Sequence, residues 1–168
     1  MPDDWSHKAW MSVRDADILE RVVFRVARER GSIDVFEWGS GKSTKYFSSE
    51  LAAAKVPFSW SAVEHDPSWA ASVREGLHDQ ANVLLVPLGD QYPLSIRGRS
   101  PSLVIVDGRL RRRCLIEASR LSSVIVLHDA QREYYHCAFS LFAYQGRVGD
   151  MLWIGCQDAS MYERAHGR

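Results

Sequence analysis

Short apolar runs of strand length alternate along the chain with segments in which apolar positions recur every three or four residues. The runs are IDVFEW (33–38), FSWSAVE (58–64), NVLLVPL (82–88), SLVIVD (102–107), SVIVLHD (123–129) and DMLWIGCQ (150–157). Their β-branched and aromatic content suits strands. The run at 102–107 is almost continuously apolar, as expected for a strand covered on both faces. Helical spacing predicts helices over 14–31, 43–55, 66–79, 112–121 and 131–144, the last helical at least to about Phe142. In the first of these, Ile18, Val22, Val23, Val26 and Ala27 share a face, and Gly31 stops the helix. Asp66 followed by Pro67 is a helix start signal. Repeated alternation of strand and helix predicts parallel strands with helices on both faces. One doubly wound α/β domain accounts for 1–168, with the helix within 1–31 packed on it.

The chain has 168 residues, 46% hydrophobic and 25% charged, with 21 basic and 21 acidic side chains. That is one domain's worth of core. The balanced charge gives no basic field to favour nucleic acid. Cys114, Cys137 and Cys156 form no CxxC pair. They argue against a disulfide framework or structural zinc and suit a reducing, cytoplasmic setting. No apolar run is long enough to span a bilayer.

Ligands of such sheets bind where the strands end at their carboxyl side. Those ends carry Glu37 to Gly41, Glu64-His65-Asp66, Gly89-Asp90, Asp107-Gly108-Arg109 and His128-Asp129. The first loop, EWGSGKST (37–44), resembles the tail of a triphosphate loop. A Walker A loop needs a first glycine at position 36, which is Phe36. Lys42 then reads as a solvated helix residue. A dinucleotide fingerprint needs a third glycine where Thr44 stands, which disfavours an NAD-binding oxidoreductase. Glu37 suits an ammonium group and would repel a pyrophosphate. Gly39 and Gly41 let the backbone approach a ligand. Glu64 can accept from both hydroxyls of a ribose, and Asp90 can meet the exocyclic amine of an adenine. An ammonium, a ribose and an adenine together describe S-adenosylmethionine.

The segments VFEWGSGKST, AVEHDPSW, VPLGD, LVIVDGRLRRRCL and VIVLHDAQREYYHCA resemble, in order, the motifs of class I methyltransferase-like proteins, over about residues 10–156. The resemblance is to small bacterial members with EWGSG.ST, VEHD..W, DGR.R..C and HD..R..Y. It implies a Rossmann-like, seven-stranded, mostly parallel sheet with an antiparallel last strand, and S-adenosylmethionine as cofactor. It assigns the cofactor to Glu37, Gly39, Ser40, Gly41, Ser43, Thr44, Glu64, His65, Trp69, Gly89, Asp90 and Asp107. Ser43 stands where the family carries a third glycine, and substrate-covering insertions are absent. A partner subunit in a homo-oligomer is one way to complete an open acceptor pocket.

A methyl donor needs an aligned nucleophile and a group to take its proton. Asp107, His128 and Asp129, at the ends of the fourth and fifth strands, are the candidates. Asp107 and Asp129 are similar to the metal-binding positions of catechol O-methyltransferase-like enzymes. The neighbour of the second aspartate is Ala130, so a hard cation lacks a ligand and no metal is expected. The arginines of GRLRRR (108–113) precede a helix, where cations oppose the dipole, so some should meet an anion. That anion is a cofactor or acceptor carboxylate, or Asp107 and Asp129 themselves. Arg109, Arg132 and Tyr135 are the candidates for holding the acceptor. Trp10 and Met11 read either as a short lid or as core anchors. The expected activity is methyl transfer to oxygen or nitrogen of a small molecule. The alternative is a non-catalytic adenosyl-nucleoside-binding domain.

Overall fold

A computed structural model describes residues 6–166. Helix α1 (Val13–Arg30) starts where Ser12 Oγ accepts from Asp15 N, and it stops at Gly31, which takes a left-handed φ of 70°. Its buried stripe is Ala16, Leu19, Val22, Val23, Val26 and Ala27. Leu19, not among the residues expected on this face, is fully buried, whereas Ile18 is only partly buried. The strands are β1 (Ile33–Trp38), β2 (Phe58–Glu64), β3 (Ala81–Leu85), β4 (Leu103–Val106), β5 (Val124–Leu127), β6 (Tyr144–Val148) and β7 (Leu152–Cys156). They form one sheet in the order β3-β2-β1-β4-β5-β7-β6. The first five are parallel, and β7 runs antiparallel to both β5 and β6.

Each central strand buries side chains on both faces. Val35, Leu103, Ile105 and Val126 meet α1, α2 (Lys42–Ala53), α3 (Pro67–Arg74) and α6 (Ala159–His166) through residues such as Leu19, Phe47, Val73 and Ala165. Phe36, Trp38, Val104, Val106 and Ile125 point to the other layer, α4 (Gln91–Leu94) and α5 (Arg111–Ala118). This period-two division is why the sequence reads as near-continuous apolar runs. The seven-stranded Rossmann-like sheet with its reversed last strand agrees with the expectation.

Several bounds and one element differ. Residues 131–144 do not form an α-helix. A 3₁₀ helix spans Glu133–Leu141, and Tyr144 begins the edge strand β6. The 3₁₀ helix leaves Tyr134, Cys137 and Leu141 exposed and buries Ala138. Strand β6 escapes sequence reading because it is an edge strand of mixed polarity, YQGRV, mostly outside the core. The short helix α4 and the C-terminal α6 were also not foreseen. Asp15 is fully buried, and its carboxylate accepts from Asp150 N at 2.7 Å and Met151 N at 2.9 Å, tying the β6–β7 turn to α1.

Candidate functional site

The strand order turns in opposite directions on either side of β1, which lies between β2 and β4. A cavity of about 390 Å³ opens there, beyond the carboxyl ends of β1, β2 and β4. That volume is within the usual range for small-molecule sites, and the place is where open α/β sheets bind ligands.

The loop after β1 is held by backbone bonds. Gly39 N donates to Val63 O at 2.8 Å, and Asp107 N donates to Trp38 O at 2.9 Å. Gly39 has φ of 94°, and a Cβ there would lie 2.7 Å from Gly108 Cα and N. Glycine is therefore required on conformational and steric grounds. Ser40 N and Oγ turn to Glu64 Oε2 at 3.3 and 3.4 Å. Glu64 Oε1 accepts from His65 N at 2.7 Å and Asp66 N at 3.1 Å, and His65 Nδ1 lies 2.7 Å away. Glu64 and His65 both line the cavity, as do Gly39, Ser40, Gly41 and Ser43. Trp69 also lines it and donates from Nε1 to Ser40 O at 2.7 Å, bridging α3 to the β1 loop.

Glu37 does not reach the cavity, which corrects its expected contact with an ammonium. It is fully buried, and its oxygens accept from Ser43 Oγ at 2.6 Å, Thr44 Oγ1 at 2.7 Å and Trp60 Nε1 at 2.9 Å. Burial pushes its carboxyl up to about 7 against the lowering effect of those three bonds. Glu37 thus pins the start of α2 onto β1, and Thr44 serves that pin rather than a ligand. Lys42, expected to be solvated, lines the cavity.

Gly89 and Asp90 also lie outside the cavity lining. The Asp90 carboxylate is exposed and turned to Arg113 Nη2 at 2.7 Å. Tyr92, on the following short helix, was not foreseen. Its buried hydroxyl accepts from Arg109 N at 3.4 Å, and burial pushes the phenol well above its ordinary value. A polar residue on a four-residue helix gives too little periodicity to be seen in the sequence.

Asp107 faces the cavity. Its Oδ1 lies 2.9 Å from His128 Nδ1 and 3.0 Å from Arg111 Nη2. His128 stands behind it, buried, and its Nε2 has no hydrogen-bond partner among the described residues. Burial alone lowers the His128 pKa. The Asp107 hydrogen bond and the charges of Asp107 and Asp129 outweigh that, and the net shift is upward. Asp129 is turned away from the cavity, with φ of 62° and Oδ2 held at 3.0 Å by both Arg111 and Arg132. Arg132 is thereby drawn to Asp129. Tyr135 packs against the core layer that holds Trp38 and Val106, its ring 5.8 Å from that of Tyr134. Neither Arg132 nor Tyr135 lines the cavity: Arg132 is paired with Asp129 ahead of the 3₁₀ helix, and Tyr135 lies within it. Arg109 does line it.

Within the arginine cluster, Arg111 finds its anion in Asp107 and Asp129, and Arg113 finds it in Asp90. Arg111 donates Nε to Gly108 O, Nη1 to His128 O and Asp129 Oδ2, and Nη2 to Asp107 O, and pairs with Asp107 Oδ1, all within 2.7–3.0 Å. Four of its N–H groups make hydrogen bonds, and the ion pair with Asp107 Oδ1 completes the clamp. A guanidinium thus occupies the space between the two carboxylates, and no cluster of three metal-ligating side chains occurs among the described residues.

No protein-family model matches the sequence, and no curated protein is significantly similar to it. Solved structures are similar. An O-methyltransferase from Bacillus cereus in complex with SAH superposes with a TM-score of 0.61 at 13% identity, over 92% of this chain and 84% of that one. The fold is that of solved methyltransferases. The O-methyltransferase TomG from Streptomyces achromogenes, involved in tomaymycin synthesis and in complex with SAM, gives 0.61 at 15% identity, over 93% and 82%. A probable spermidine synthase from Corynebacterium glutamicum gives 0.57 at 14% identity, over 84% and 64%. The sheet alone therefore does not decide which group is transferred.

Proposed function

We propose that this protein is an S-adenosylmethionine-dependent methyltransferase acting on oxygen or nitrogen of a small molecule. The observation that carries the reading is Glu64, a carboxylate at the end of β2 facing the cavity across the Gly39–Gly41 loop. A ribose diol suits that carboxylate, and the close backbone of Gly39 and Gly41 leaves room for the rest of a nucleoside. The solved neighbours in complex with SAM or SAH support it. The broken triphosphate loop at Phe36 disfavours ATP.

When bound, the cofactor supplies an electrophilic methyl on a sulfonium. Gly39, Ser40, Gly41, Glu64 and His65 would hold it in the cavity that Asp107 also lines, and it would offer that methyl to a lone pair of the acceptor. The protein's part is to align the acceptor and receive its proton. Asp107 is the carboxylate that faces the cavity, and it takes that proton or holds the donor group. His128, through Nδ1, and Arg111 orient Asp107 from behind. Catalysis is thus centred on Asp107, with His128 and Asp129 as positioning residues.

Calorimetry with S-adenosylmethionine, S-adenosylhomocysteine and ATP tests the reading. Binding of either adenosyl ligand without ATP is expected. ATP binding with no response to the adenosyl ligands overturns it. Binding of both adenosyl ligands with no S-adenosylhomocysteine released across an acceptor library favours a non-catalytic nucleoside-binding domain.

A further inference from the structure

The charges around the cavity are unevenly satisfied. Each carboxylate lining it has a partner in the protein. Glu64 accepts from the Ser40, His65 and Asp66 backbone, Asp66 caps α3 through Trp69 N, and Asp107 holds His128 and Arg111. Arg111 also lines the cavity, but its charge is already paired with both Asp107 and Asp129. Lys42 and Arg109 line the same cavity, and their side chains meet no acid among the described residues. Lys42 opens α2 beside Gly41, and Arg109 follows Asp107 and Gly108 at the end of β4. The site therefore offers two cations to incoming anions at two different strand ends.

The proposed cofactor brings one carboxylate. Lys42, beside the glycine loop, is the cation placed for it. Arg109 then has no cofactor anion to meet, and it sits next to the carboxylate assigned to the acceptor. Another wall is aromatic. Trp10 and Trp69 both line the cavity, their ring centroids 5.2 Å apart and tilted by 40°. Trp10 is 51% exposed, a large apolar ring left uncovered at a ligand site, whereas Met11 beside it is buried in the core. An indole face gives broad contact at little ordering cost, and an arginine fork matches a carboxylate with two parallel hydrogen bonds.

We propose that the acceptor is a flat aromatic carboxylate, its ring against Trp10 and its carboxylate on Arg109, with the methylated oxygen or nitrogen on the same ring. This rests on the methyltransferase reading. It adds a charge and a shape to the acceptor, neither of which that reading requires.

The test uses the full chain saturated with S-adenosylhomocysteine, titrated with benzoate and, separately, with benzyl alcohol, which keeps the ring and removes the charge. The Trp10 indole N–H signal and calorimetry report binding. Benzoate is expected to bind about tenfold or more tightly than benzyl alcohol and to shift the Trp10 signal. Arg109→Met is expected to weaken benzoate by about tenfold and Lys42→Met to weaken S-adenosylhomocysteine by more than Arg109→Met does. Trp10→Ala should weaken both ring probes. Equal binding of the two probes, no binding of either, or an unchanged benzoate affinity in Arg109→Met overturns the proposal and leaves the methyltransferase reading standing. Failure of S-adenosylhomocysteine to bind removes that reading and this proposal together.

Discussion

Arg111 Nη1 lies 3.0 Å from Asp129 Oδ2, so a guanidinium on α5 closes over the end of β5. The same group holds Asp107 at the end of β4. Two neighbouring strand ends, both carrying carboxylates, are thus kept together by one cation lying between them. Without it, the carboxylates and three backbone carbonyls would lose their shared donor.

Arg111→Met should therefore destabilise the protein by about 2–4 kcal/mol, below the fully buried value because the carboxylates are partly exposed. That corresponds to a fall of roughly 4–16 °C in Tm for a domain of this size. Arg111→Lys keeps the charge but not the five-donor fork, and should fall between. Thermal unfolding of both variants is the check, and a lysine variant as stable as the parent would refute the fork's role.

Glu64→Gln is expected to weaken S-adenosylhomocysteine binding by about tenfold or more, as loss of a charge-assisted acceptor predicts. It should also lower Tm. Both Glu64 oxygens accept from backbone N–H groups, so an amide NH₂ must face a donor on one side. An unchanged dissociation constant would remove Glu64 from the ligand site.

Glu37 links stability to pH. Its folded value of about 7 lies above the ordinary 4.5, so between those values only the native state holds the proton. Its contribution is present below 4.5 and lost as pH rises through about 7. Relative to Glu37→Gln, the parent should lose on the order of 1–3 kcal/mol across that window. Denaturant midpoints from pH 4.5 to 8 measure the difference, and parallel curves would contradict it.

His128 should titrate above its ordinary value, because Asp107 holds its protonated form. The stability this lends is full below the unfolded pKa and disappears as pH rises through the folded one. Asp107→Asn removes the main raising partner and should bring the His128 value down. Imidazole C–H shifts follow the change without any acceptor, and an unmoved titration would sever the proposed link between the two residues.

The fold was legible because β1, β2, β4 and β5 are buried on both faces, which leaves apolar runs that no surface segment imitates. The cavity's position followed from where those runs end. Orientation was not legible. Glu37 and Glu64 both occupy strand ends beside glycine loops, yet one turns to Ser43, Thr44 and Trp60 while the other faces the cavity. The same limit applies to Arg132 and Tyr135. Their placement depended on an α-helical turn, and the chain adopts the tighter 3₁₀ form instead.

Gly39 and Gly108 meet backbone to backbone, with no side chain between them. That part of the cavity floor has nothing soft in it to yield when a larger guest enters. The indole wall is different, since Trp10 is half-uncovered and belongs to a short segment ahead of α1. Diversification of such a site would then proceed along one wall. Exchanges at Trp10 would redraw the range of accepted guests, while the two glycines would stay fixed under any change of substrate.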